Sequence, residues 1–282
     1  MASFADRVPA AWRERGGFLA PLYQREALWL QFEAAPWKPN AVKVAVGGVD
    51  ALTGEPWDDG LRADPQNYLV CPDQPWLDGI NSGEGTVRQF VAVGLGAGDT
   101  VEEQLTGAAE LGGLQLQVYD PVPGRFPDEP PPGGFQRLES AMDGLADLGE
   151  SPGLGVAAGG TARQRIYPDP YGLETWDQEA FGVAFLWLVN SRQYQVITGE
   201  PGPPTPITAR TYTEHGLPWF QLYDEDRGDL APAGRLGRVQ SLREREAGRG
   251  AGPDPDDEPV AVDPDQVIPL QDPPPPSREE GA

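Results

Sequence analysis

Short windows of this chain alternate apolar and polar positions with period two, and few carry the three-and-four spacing of an amphipathic helix. Residues 114–119 (LQLQVY) put Leu114, Leu116 and Val118 on one side and the glutamines on the other, the pattern of a strand covered on one face. Residues 41–46 (AVKVAV) and 86–93 (TVRQFVAV) read the same way, and 67–71 (NYLVC) form a shorter apolar run stopped by Pro72. Residues 183–189 (VAFLWLV) are apolar throughout, which predicts a strand buried on both faces, with 193–198 (QYQVIT) as a neighbouring strand and 162–167 (ARQRIY) as another. Residues 26–33 (EALWLQFE) fit either a strand or a short helix.

Turn and cap signals divide these windows. Gly47-Gly48 and Thr53-Gly54-Glu55-Pro56 mark turns, and the acidic stretch 56–66 reads as a loop. Thr100 followed by Glu103 is a capping box, so a helix of one or two turns is expected before Gly107. Leu138, Met142, Leu145 and Leu148 give 135–148 a weak helical period. Thr205-Pro206 with Gly216 predicts a helix over 206–215. The run DPVPGRFPDEPPPGG at 120–134 lacks the amide donors of a sheet interior and reads as a linker. From 247 onward Pro, Asp, Glu and Gly dominate, which predicts a disordered tail.

The expected fold is therefore mainly β with a few short helices, β-sandwich-like, as one large or two small lobes. The organisation that follows is an N-terminal extension over 1–25, a β-rich lobe over 26–122, a linker with a short helix over 123–152, a second β-rich lobe over 153–246 and the tail over 247–282. The tetrapeptide TGEP occurs at 53–56 and again at 198–201, and either a duplicated lobe or chance accounts for it.

Composition narrows the function. The net charge is −23, which argues against nucleic-acid backbones and anionic membrane surfaces as partners. No apolar window approaches the roughly 18 residues of a membrane helix, and the N-terminus lacks the apolar core of a signal peptide, so a soluble, cytoplasmic chain is expected. Lys38 and Lys43 are the only lysines, and His215 and Cys71 are the only histidine and cysteine. One thiol forms no disulfide within the chain, and one imidazole with one thiol leaves too few ligands for a transition-metal site. No cofactor and no metal are expected. Cys71, in an apolar run, is expected to be buried and inert, and His215 to sit at a helix C-terminus.

The blocks WKPNAVKVAVGGVDALTGEP (37–56), YLVCPDQPWLDGI (68–80), RQFVAVGLGAGDTVEEQLTG (88–107), RQRIYPDPYGLETWDQ (163–178) and ITGEPGPPTPITARTYTEHGLPWFQLYDED (197–226) resemble a family of uncharacterised microbial proteins. The resemblance spans residues 30–230 and implies no activity. It departs from the family pattern at Val93-Gly94, where that pattern has Met-Pro.

The residues with most chemistry are two aromatic-and-acid clusters: Asp169, Tyr171, Trp176 and Asp177, then Trp219, Tyr223, Asp224 and Asp226. Aromatic faces stack on sugar rings, and two carboxylates about 5–10 Å apart hydrolyse glycosidic bonds. The plainer reading of the same residues is that the tryptophans fill the core and the acids decorate turns. Counted from Asp224, an EF-hand loop would need Gly and Glu where Asp229 and Arg235 stand, so calcium is not indicated. Gly94, Gly96 and Gly98 fall one residue short of a dinucleotide fingerprint and, like Gly155, Gly159 and Gly160, are expected in turns. The leading expectation is a non-catalytic binding or structural protein for an unidentified protein or carbohydrate ligand. The alternatives are a carboxylate-dependent glycan hydrolase and a subunit of a larger assembly.

Overall fold

The computed structural model describes residues 2–130, 154–204, 219–222, 228–250, 265 and 267–270. The chain divides into two compact units, Met1–Thr205 with Gly228–Ala251 and Pro206–Arg227 with Gly252–Ala282. The first unit begins with α1 (Ala10–Arg15), β1 (Phe18–Pro21), β2 (Ala27–Leu28), β3 (Leu30–Gln31), β4 (Asn40–Val46), β5 (Val49–Asp50) and β6 (Leu69–Cys71). It continues with β7 (Trp76–Leu77), β8 (Gly79–Gly83), β9 (Thr86–Gly94), α2 (Val101–Thr106), β10 (Leu114–Pro121), β11 (Leu154–Arg163), β12 (Trp176–Val189) and α3 (Ser191–Thr198). In the second unit β13 (Trp219–Leu222) pairs in parallel with β14 (Val267–Leu270). The last helix described, α4 (Leu242–Gly248), belongs to the first unit.

The first unit is β-rich, as the alternating pattern predicts. Its ten-stranded sheet runs β2-β9-β11-β12-β10-β4-β5, with β1 added to β12, β6 to β4 and β8 to β9. Most pairs are antiparallel, and β1 against β12 is parallel. Strands before and after residues 123–152 pair with one another in this sheet, so they build one lobe. β11 touches β12 through the single pair Leu154↔Leu188 and otherwise follows β9. The sheet turns at that corner, and its halves close on each other. Val42, Val44, Val46 and Leu114 from one half share a core with Val87, Phe90, Ala92, Val156 and Ala158 from the other. Each fully buried Val or Leu contributes about 1.5–3 kcal/mol.

Local signals explain most elements. β10 pairs with β4 from Leu114↔Val46 to Tyr119↔Ala41, which sets Leu114, Leu116 and Val118 beside Val46, Val44 and Val42. Thr100 caps α2: its hydroxyl accepts from the Glu103 amide at 3.1 Å, the Glu103 carboxylate accepts from the Thr100 amide at 3.1 Å, and Gly107 closes the helix at φ 80. The ambiguous window 26–33 resolves into the two-residue strands β2 and β3.

Several expectations need correction. Residues 193–198 are helical, within α3. The Asn190 side chain accepts from the amides of Arg192 and Gln193, and the Gln193 side chain accepts from the Asn190 amide. This second capping box starts a helix whose Tyr194 and Ile197 pack on Val8 and Val189, and the β-favouring run yields to it. Gly155, Gly159 and Gly160 lie inside β11 and not in turns. A Cβ at Gly155 would stand 2.6 Å from Leu95 and Thr100, and one at Gly159 2.5 Å from Val91, so these positions admit close neighbours. The predicted strand at 162–167 holds only as the last two residues of β11. β12 is also less covered than its composition implies, with Val183 49% exposed.

The two TGEP copies sit in different elements, after β5 and at the end of α3. Their glycines nevertheless share a left-handed φ, +73 at Gly54 and +89 at Gly199, each with its amide bonded four residues back. The echo is one turn chemistry used twice. Within the segment read as a disordered tail, Val267–Leu270 forms a strand. The helices predicted at 135–148 and 206–215, with His215, lie outside the described residues. Among the described residues no helix is long and apolar enough to cross a membrane.

Close approach between β8 and β9 gives a direct check of the packing. A Cβ at Gly79 would fall 1.9 Å from the Arg88 carbonyl oxygen, whereas one at Gly94 meets nothing within 4 Å. Gly79→Ala is expected to lower unfolding free energy in urea by about 1–3 kcal/mol or more. Gly94→Ala is expected to change it by less than about 0.5 kcal/mol.

Candidate functional site

The loop between β11 and β12 carries the first predicted cluster. Pro168 and Pro170 restrict the backbone on either side of Asp169. The Asp169 Oδ2 accepts from the Tyr68 hydroxyl at 2.6 Å and from the Trp176 indole Nε1 at 2.9 Å. Its Oδ1 accepts from the Tyr171 amide at 2.7 Å, and its own amide donates to Gln66. Tyr68 and Trp176 are buried, with ring centroids 6.5 Å apart in an edge-on contact. Tyr171 meets Trp176 edge-on at 6.0 Å and Phe126 at 5.4 Å, and remains 37% exposed. Burial, then the bond to Asp169, pushes the Tyr68 phenol well above its usual range, so it stays a proton donor to the carboxylate.

The structure thus joins Asp169, Tyr171 and Trp176 and sets Asp177 to another task. Between the pairs Tyr119↔Phe181 and Pro121↔Trp176, residues 177–180 of β12 oppose Asp120 alone. The Asp177 Oδ1 accepts from the amides of Glu179 and Ala180 and holds this bulge. Trp219 stands on β13 in the second unit, and Tyr223, Asp224 and Asp226 lie outside the described residues.

A second polar assembly lies on the face of β4 and β10 away from the apolar core. Lys43 is 1% exposed, and its ammonium donates to the Asp58 carboxylate at 2.7 Å and to the carbonyls of Asp58 and Gly60. Gln117 donates to Asp59, and the Tyr119 hydroxyl accepts from the Gly60 amide and donates to Gln117. Gln178, from the β12 bulge, accepts from the Leu61 amide. Gln115 accepts from the Gly48 amide and donates to the Gly112 carbonyl. The loop over 58–61 is fastened to the sheet by side chains at each step. A lone lysine inside AVKVAV and two glutamines in register beside it are the sequence signal for this layer.

Asp50 sits at the end of β5 beside this layer and is completely buried. Its Oδ1 accepts from the amides of Leu52 and Thr53 and from the Thr53 hydroxyl, while its Oδ2 has no partner. Burial pushes its carboxyl up to about 6, against the pull of those donors and of the Lys43 charge. Cys71 is buried, and burial followed by the Asp73 charge pushes its thiol up to about 12, far from a reactive thiolate. Among the described residues, no group of three or more His, Cys, Asp or Glu is placed to hold a metal ion.

The chemistry open to this arrangement is limited by commitment of its carboxylates. A general acid or base needs a proton position that a substrate reaches, and both Asp169 oxygens are already bonded within the protein. No model of a known protein family, no curated protein sequence and no solved structure matches this chain.

Asp50 generates a pH dependence with a definite sign. Its folded-state value, about 6, lies above the ordinary 3.8, so the native state keeps a proton that the unfolded chain has released. Its contribution to stability is fullest below pH 4 and is lost as pH rises through 6. Relative to Asp50→Asn, the wild type is expected to lose up to about 3 kcal/mol between pH 4 and 7. Urea titrations of both proteins across that range measure this, and parallel profiles would refute it.

Proposed function

We propose that this chain is a non-catalytic interaction protein. The observation that carries the reading is the saturation of Asp169 by Tyr68, Trp176 and Tyr171. A carboxylate with three internal donors is a clamp that holds the 167–176 loop against Tyr68, the residue before β6. Asp177 is likewise spent on the β12 bulge. The aromatic ring expected to stack on a ligand, Trp176, is only 3% exposed. Glycan hydrolysis would require two available carboxyl groups on one substrate, and both described candidates already accept hydrogen bonds within the protein.

Support for interaction comes from apolar side chains left at the surface. Phe18 is 66% exposed, Trp29 65%, Val183 49% and Tyr171 37%. Single exposed apolar residues are ordinary, but large aromatics of this kind are the residues that anchor protein contacts. The partner class this favours is protein.

A panel of oligosaccharides tests the reading against its rival. The purified chain is expected to release no reducing ends and to show no thermal shift. Asp169→Asn is expected to lose about 1–3 kcal/mol of stability, because it weakens the acceptor to which two buried side chains, Tyr68 and Trp176, donate. Hydrolysis abolished by Asp169→Asn or Asp177→Asn in variants that remain folded would overturn it.

A further inference from the structure

One edge of β11 is covered in steps and not by a single strand. Leu154 pairs with Gly94 of β9 and with Leu188 of β12, so those strands lie on opposite edges of β11. β12 leaves after that one pair. Beyond it the same edge is met by Thr100, which bridges to Ala157, and by Ser241, which bridges to Ala158. The other partners of these two alanines are Val91 and Phe90 of β9. Thr100 and Ser241 are the capping residues of α2 and α4. Covering a strand edge with a helix or loop keeps it from pairing with other chains.

The two guards are held by different forces. α2 is built into the fold: Val101 is fully buried, and the Glu102 carboxylate accepts from the amides of Glu110, Leu111 and Gly112. α4 buries one side chain, Leu242, which packs on Val93 and Ala157. The rest of α4 is held mainly through charged side chains. Glu244 accepts from Arg88 at 2.8 Å, and Glu246 pairs with Arg25. Arg249 donates twice to the Asp99 carboxylate, at 2.7 and 2.9 Å, and once to the Ala97 carbonyl, while Arg245 reaches Asp99 at 3.4 Å. The chain just before α4 is firmly seated. Leu236 and Val239 belong to the main core, and Gln240 exchanges two hydrogen bonds with the Gln104 side chain.

We propose that residues 241–250 form a charge-latched strap, which leaves β11 as a unit when ionic strength weakens its guanidinium–carboxylate pairs while the sheet stays folded. Ion pairs at a surface are screened by salt, whereas apolar burial such as that of Leu236 and Val239 is not weakened in this way. The hinge therefore falls just after Gln240. Guanidinium groups keep their charge across the working pH range, so salt and not pH is the lever. Release removes the guard at Ala158 and uncovers Val93 and Ala157 where Leu242 sat. The strap thus sets when this edge of β11 is open, and it does so whether or not the interaction reading holds.

Native-state hydrogen exchange on the full chain tests this, in sodium chloride from about 0.1 to about 1 M, where the screening length falls from about 10 to about 3 Å. The amides of Arg245 and Arg249 bond within α4 and its last turn, to the carbonyls of Ser241 and Arg245. They are expected to exchange at least about tenfold faster at the higher salt, as one local opening, while amides of β4 and β10 change by less than about twofold. Asp99→Asn removes the charge that two arginines share. It is expected to give the fast exchange already at low salt, with little further response to salt. Glu246→Gln removes a single pair and is expected to speed α4 exchange at low salt by about two- to fivefold. It decides the matter if Asp99→Asn disturbs the fold. Exchange in α4 that ignores salt, or that stays as slow as in β10 at every salt, overturns the proposal. So does a full salt response retained in a folded Asp99→Asn, or a Glu246→Gln variant identical to wild type.

Discussion

A buried ammonium sets the terms for the sheet around it. Removing a charge from water costs several kcal/mol unless partners replace the water, and Lys43 lies in the middle of a strand whose other face is the main apolar core. Its partners come from the 58–60 turn, one carboxylate and two backbone carbonyls. That demand pulls an acidic loop down over β4 and β10. Gln117, Tyr119 and Gln178 then meet the loop's own amides and side chains from the sheet. The result is that β4 is buried on both faces, one by apolar contact and one by hydrogen bonds.

Closure of the polar face decides where function is able to lie. With β4 and β10 sealed, the surfaces left to the first unit are loop tips, exposed aromatics and strand edges. The 167–176 loop is also fastened down, by an aspartate that joins Tyr68, just before β6, to Trp176 at the start of β12. Both assemblies share a logic: a carboxylate or an amine is used to satisfy buried polar groups, and its availability for chemistry is lost in doing so.

Charge pairs fix α4 in a comparable way. Asp99 is almost fully buried and takes a two-point contact from Arg249, Arg88 pairs with Glu244, and Arg25 pairs with Glu246. Hydrogen bonds from Arg88 and from the Ser241 amide hold the Glu244 carboxyl down to about 2. Guanidinium groups suit this role because each offers several donors in a rigid plane. The preference for arginine over lysine in this chain is thus put to structural use in α4, while one of its two lysines holds the polar layer.

The sequence by itself determined the elements whose signal is local. Period-two alternation placed β4, β9 and β10, and a hydroxyl three residues before a carboxylate placed α2, because such patterns act through the nearest turn or the nearest face of a strand. The same logic was present at Asn190 and Gln193, but an apolar run behind it concealed a helix. Tertiary structure alone decided which faces are buried. Gln115 and Gln117 look solvent-facing in sequence and are among the most buried side chains, while Val118 and Val183 look buried and are partly exposed. Burial depends on what crosses above a strand from distant parts of the chain, as the 58–61 loop does over β10 and Tyr68 does beside Asp169. No local pattern records a neighbour that far away along the chain, and so the commitment of the candidate carboxylates became legible only once the contacts between them were known.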